Sequence, residues 1–131
     1  MTIREPRWLE RLVIDEAHFR QIREHGGSHG FRDENALEAA LARPRHRWAY
    51  EPDVDLADLA AAYAFGLVRD HPYVDGNKRI ALIAMVAFLD LHGVELVASD
   101  VEVVVTMLAA AVGDLDEREL AAWVRLHSTR P

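Results

Sequence analysis

The sequence predicts an all-α, single-domain bundle of about six helices. Three observations carry that prediction. Apolar residues recur at helical spacing in successive segments, as in Leu59, Ala62, Tyr63, Gly66 and Leu67, or Leu120, Trp123 and Val124. Residues that cap helices stand ahead of three such segments with an acid three positions on: Asp55 with Asp58, Ser99 with Glu102, Asp116 with Glu119. The most apolar stretch, Ile80 to Leu89, holds no β-branched run long enough to argue for a strand.

Taken in order, residues 1–12 form a lead-in without a clear signal. Asp15 to Glu24 reads as a helix with Ala17, Phe19 and Ile22 apolar, closed by Gly26-Gly27. Ser28 to Arg32 is a loop. Asp33 can cap a helix from Glu34 to about Arg43, with Leu37, Ala40 and Leu41 on one face, and Pro44 ends it. Arg45 to Asp53 is expected to be irregular or extended, with Trp48 and Tyr50 used in packing. A long helix then runs from Leu56 to about Asp70; Gly66 within it costs about 1 kcal/mol relative to Ala and implies close approach of a neighbouring helix. A polar loop follows, from His71 to Arg79, punctuated by Pro72 and Gly76. The helix Ile80 to Leu89 is apolar on most of its surface and stops at His92-Gly93. Val94 to Ala98 is a short extended link, a helix runs from Asp100 to about Val112, Gly113 to Leu115 turn, and a last helix ends near His127.

A chain of 131 residues, half of them hydrophobic, is sufficient for one domain with its own core. It has no cysteine, so disulfides and thiolate metal sites are excluded, in keeping with a reducing cytoplasm. The first ten residues are charged and lack a signal-peptide core. The apolar run of ~10 residues at Ile80 is about half of what a membrane span needs. The formal charge of −7 argues against direct nucleic-acid binding through the general surface. Arg43, Arg45 and Arg47 read as a solvated helix end, or more sharply as a surface for an acidic partner or nucleotide phosphates.

The chemistry concentrates in His71-Pro72-Tyr73-Val74-Asp75-Gly76-Asn77-Lys78-Arg79. His71 can accept a proton near neutral pH. Asp75 is a hard oxygen ligand suited to Mg²⁺ with a phosphate. Gly76 allows backbone to approach an anion, Asn77 offers donor and acceptor, and Lys78 and Arg79 supply positive charge. These residues lead into a helix N-terminus, where unpaired N–H groups and the helix dipole favour anions. Lys78 is the only lysine among fifteen basic residues. A base, a magnesium ligand, an anion cradle and two cations suggest phosphoryl or nucleotidyl transfer. The remaining histidines carry no such context: His25 and His29 are separated by Gly26-Gly27, and His18, His46, His92 and His127 read as surface or helix-end residues.

This nine-residue stretch resembles the signature of the Fic/Doc superfamily, His-x-Phe-x-Asp/Glu-Gly/Ala-Asn-Gly/Lys-Arg, and Lys78 makes it similar to the Doc (death-on-curing) toxin branch. Glu24 to Gly27, Leu37 to Arg43, Ala49 to Glu51 and Leu89 to Gly93 extend the resemblance over roughly residues 9–127. Tyr73 departs from the usual Phe, adding a hydroxyl that needs a partner, and Gly76 is the Fic-type residue where Doc itself has Ala.

The resemblance implies a kinase that moves the γ-phosphate of ATP, with Mg²⁺, to a Ser or Thr of a target protein, elongation factor Tu by analogy, and so blocks translation. His71 would be the base and Asp75 the metal ligand. Gly76, Asn77 and Lys78 would bind phosphate, and Arg79 would both bind it and stabilise charge on the transferred group. Adenylyl transfer, the commoner Fic chemistry, is the alternative, and a non-catalytic antitoxin-binding module is another. The family also suggests a flap near Arg45 to Asp53. No Ser/Thr-x-x-x-Glu-Gly/Asn brake motif occurs in these residues, which implies control in trans by a Phd-like antitoxin.

Overall fold

In the computed structural model, which describes residues 4–129, six helices run in the order α1 (Arg11–His25), α2 (Glu34–Tyr50), α3 (Leu56–Asp70), α4 (Asn77–Leu91), α5 (Asp100–Val112) and α6 (Glu117–Leu126). The all-α prediction holds. The expected lead-in over 1–12 falls partly outside the described residues, and from Arg11 onward it is already helix.

The molecule is organised around α3. Its alanine-rich sequence lets neighbours approach from every side, so Ala57, Leu59 to Ala64 and Gly66 to Val68 are all buried. Helices α2, α4, α5 and α6 pack on it. Gly66 meets α2 as expected: a Cβ at that position would lie 3.2 Å from Ala40 Cβ. Tyr63 spends its hydroxyl on the Leu9 N–H at 3.1 Å and sets its ring against Phe88, which Trp8 covers in turn. Capping boxes start α3, α5 and α6 at Asp55, Ser99 and Asp116, and Asp33 caps α2 through the Ala36 N–H.

Two expectations are corrected. Pro44 does not end α2, which continues to Tyr50. A proline inside a helix removes one N–H and crowds the preceding turn, but the segment beyond it is anchored from its side. Arg47 Nη1 donates to the Asp58 carbonyl at 3.2 Å and to Glu117 at 2.8 Å, and the guanidinium is paired with Glu51 one turn on. Residues 45–50 are therefore helix, with no extended flap. Tyr50 is 81% exposed and packs on no core, whereas Trp48 is half-buried edge-on to Trp8. The three arginines are also spoken for within the chain: Arg43 and Arg47 pair with Glu117, and Arg45 lies over the Trp8 ring.

The extended link after α4 becomes β1 (Glu95–Leu96), which pairs antiparallel with β2 (Ser128–Thr129) and packs against α4. Among the described residues no helix is long and apolar enough to cross a membrane.

Candidate active site

The loop from His71 to Gly76 joins the two central helices and is gripped from both sides. His71 ends α3 in the left-handed region (φ 47, ψ 59), the only non-glycine residue among those described with positive φ. That turn needs support, and Arg32 gives it. Its Nε donates to the His71 carbonyl at 2.6 Å and its Nη2 to the Asp70 carbonyl, covering the open end of α3. The Pro72 carbonyl accepts the N–H groups of Arg32 (2.8 Å) and Asp33 (3.0 Å), and Val74 donates to the Gly30 carbonyl (3.0 Å). A bridge between Phe31 and Tyr73 completes this strap. The segment that borders the loop is thus Gly30 to Asp33, not the region after Arg45.

On the other side lies α1. Its buried face is Ile14, His18, Gln21 and Ile22, whereas Phe19 is 55% exposed. His18, read from sequence as a surface residue, is buried under the loop. Its ring stacks on Tyr73 and its Nε2 lies 2.8 Å from the Asp75 carbonyl oxygen. Burial lowers its pKa below the ordinary imidazole value, against the opposing pull of that carbonyl. The extra hydroxyl of Tyr73 finds its partner in Asp15 Oδ1 at 3.0 Å. Burial, and then the Asp15 carboxylate, push the phenol well above its usual pKa, so it stays a donor.

Gly76 begins α4 with φ 81 and ψ 16, a left-handed turn that suits glycine. No side chain caps the first turn of α4, and no acid stands in it, so the N–H groups of Asn77, Lys78 and Arg79 face outward with the positive end of the helix dipole. Asn77 is used internally. Its Oδ1 accepts the Tyr73 N–H and its Nδ2 donates to the Tyr73 carbonyl, a two-point staple between loop and helix. Its side chain holds the cradle's shape, and its backbone N–H belongs to the anion-facing turn. Asp75 rests one carboxylate oxygen, Oδ2, on the Ser28 N–H at 2.8 Å. Gly27 makes this possible by its lack of a side chain, since a Cβ there would stand 3.3 Å from Asp75 Cβ.

Asp75, Gly76, Asn77, Lys78 and Arg79 all line one open cleft of about 570 Å³. Gly26 and Gly27 form one wall, and Leu82 with Val103, Val104, Met107 and Leu108 the apolar one. His71 is exposed but is not among the residues lining the cleft; it stands at the other end of the loop. Among the described residues no group of three or more metal-ligating side chains exists. A lone carboxylate beside an anion cradle fits a Mg²⁺ ion that arrives with phosphate oxygens and waters as most of its ligands.

Sequence reading missed the supporting residues His18, Gln21, Arg32 and Asp15. The signal that could have found the first two was the spacing of Ile14, His18, Gln21 and Ile22, a helix face on which the polar members share the apolar stripe.

The chain matches the family model described as "Fic/DOC family" over residues 8–89. It is 33% identical over 108 residues to "Protein kinase doc" of Escherichia phage P1, an alignment spanning 82% of this chain and 85% of that protein. It is 43% identical over 74 residues to "Toxin Doc" of Mycolicibacterium smegmatis, spanning 56% of this chain and 57% of that one.

Proposed function

The chain belongs to the Fic/DOC family, and on that premise we propose that it is a Doc-like toxin that transfers the γ-phosphate of ATP to a Ser or Thr hydroxyl of a target protein. One observation carries the reading. The uncapped N-terminus of α4, with Asp75 before it and Lys78 and Arg79 in it, opens on a single cleft that has a charged end and an apolar wall. Such a cleft suits a nucleotide triphosphate, whose phosphates meet the N–H groups and cations while its apolar portion meets Leu82 and α5.

His71 accepts the hydroxyl proton as the hydroxyl oxygen attacks the γ-phosphorus; the bond from that phosphorus to the bridging oxygen breaks, and ADP leaves. The α4 N–H groups and Lys78 hold phosphate oxygens, and Arg79 faces charge on the transferred group. Asp75 would hold Mg²⁺ at the phosphates, and the ion supplies charge neutralisation there when bound. Most of the rate enhancement on this reading comes from positioning and electrostatics. The relatives named as a kinase and as a toxin support the kinase and toxin parts of this reading; a bacterial cytoplasmic setting, elongation factor Tu as target and a Phd-like antitoxin as the brake in trans belong to the proposal by family resemblance.

The test is mass spectrometry of elongation factor Tu and of a bacterial lysate after incubation with the protein, Mg²⁺ and ATP. A gain of ~80 Da on a Ser or Thr, lost in His71→Ala, is expected for phosphoryl transfer. A gain of ~329 Da instead marks AMP transfer by the same loop. No gain on any protein, with growth arrest unchanged in His71→Ala, leaves only a binding role.

A further inference from the structure

Gln21 is a polar side chain in a place where an apolar one would pack. It lies on the inner face of α1 and is 4% exposed. Its Oε1 accepts a hydrogen bond from Arg79 Nη1 at 3.0 Å. Its Nε2 is buried with no partner among the described residues. Gly76 makes the space for it: a Cβ at Gly76 would stand 1.9 Å from Nε2 and 3.0 Å from Cδ of Gln21. The amide is wedged between α1 and the first turn of α4, with its nitrogen against Gly76 and its oxygen on Arg79.

A buried amide with an idle donor weakens a fold, and an apolar residue of the same shape would avoid that loss. What only an acceptor provides here is a fixed Arg79. An exposed arginine on a helix otherwise samples many rotamers, and ordering it during the reaction costs entropy. We propose that Gln21 is a positioning residue: it holds the Arg79 guanidinium in the orientation needed toward the transferred group, and Gly76 has no side chain so that it can do so. The inference rests on the phosphoryl-transfer reading for its kinetic consequence, and on geometry alone for the contact.

The test compares wild type, Gln21→Met, Arg79→Ala and the double variant. Gln21→Met is expected to lower kcat roughly 10- to 100-fold with KM for ATP little changed and thermal stability equal or higher. In the Arg79→Ala background the same change is expected to have almost no further effect. Nitrogen-15 NMR of the Arg79 guanidinium gives a readout independent of activity: slow Nη rotation in wild type, fast in Gln21→Met. Gln21→Leu, apolar and of a different shape, must reproduce both results. Equal losses in the two backgrounds would overturn the proposal, as would unchanged guanidinium dynamics or unfolding of both Gln21 variants. A wild type that transfers nothing sinks the proposed function, while the NMR comparison still decides the contact.

Discussion

The imidazole of His18 lies flat on the ring of Tyr73, centroids 3.6 Å apart and planes 8° from parallel, while its Nε2 meets the Asp75 carbonyl at 2.8 Å. Donation to a carbonyl requires a proton on Nε2, which fixes the tautomer of the ring when it is neutral. One buried side chain of α1 thereby fixes two points of the loop that carries His71 and Asp75.

This arrangement makes stability depend on pH in a stated direction. Burial sets the folded pKa of His18 below its ordinary 6.5. Between the folded and unfolded values the unfolded chain binds more protons, so stability rises with pH there. The contribution is complete above the unfolded pKa and is lost as pH falls through the folded one. At neutral pH His18→Gln is expected to cost roughly 1–2 kcal/mol. The gap between wild type and variant should shrink in urea unfolding as pH falls below the ordinary histidine value of 6.5. Parallel pH profiles for the two proteins would mean that His18 is not the titrating group.

Tyr73 separates what a ring does from what a hydroxyl does. The ring is sandwiched by His18 and Phe31, and the hydroxyl donates to Asp15, which also pairs with Arg11. Removing the hydroxyl leaves Asp15 with Arg11 and with water, since its side chain is 34% exposed. Tyr73→Phe is therefore expected to cost only about 0.5–1.5 kcal/mol and to keep transfer activity. Tyr73→Ala, which empties the sandwich, is expected to cost about 3–5 kcal/mol and to abolish transfer. Calorimetry and a transfer assay on both variants check this; a Phe variant as damaged as the Ala variant would place the support in the hydroxyl.

Local chemistry in the sequence was enough for some elements and not for others. Asp55, Ser99 and Asp116 each cap within three residues of their partner acid, so the starts of α3, α5 and α6 were legible. The cleft residues Asp75 to Arg79 are contiguous, so their convergence was legible as well. What failed depended on distant partners. Pro44 ends a helix by local rules, but Arg47 reaches Asp58 and Glu117 and holds the next turns in place. The burial of His18 is set by Tyr73, more than fifty positions away, and the pairing of Glu95 with Thr129 joins two segments that no local pattern links. Gln21 had no signal as a contact of Arg79, because its role depends on how α1 lies against α4.

Gly66 and Ala40 set the distance between α2 and α3, and through it the geometry of the loop. A Cβ at Gly66 would lie 3.2 Å from Ala40 Cβ and 3.3 Å from Ala40 Cα, the latter a backbone atom that cannot rotate away. Ala40 is also the residue whose carbonyl Pro44, four positions on, leaves without its usual helical donor. Gly66→Ala would gain about 1 kcal/mol of helix propensity and lose a similar amount to crowding, so a net change near zero is expected. Gly66→Leu has no such balance and is expected to cost about 1–3 kcal/mol or more as the helices part. The displacement would also reach the site. Helix α3 ends at His71, α2 starts after Asp33, and the strap between Pro72 and the N–H groups of Arg32 and Asp33 spans the two. Transfer activity should therefore fall further in Gly66→Leu than the unfolded fraction accounts for, measured at a temperature where the variant is still folded. A Gly66→Leu protein with wild-type stability and activity would show that the two helices do not meet at this point.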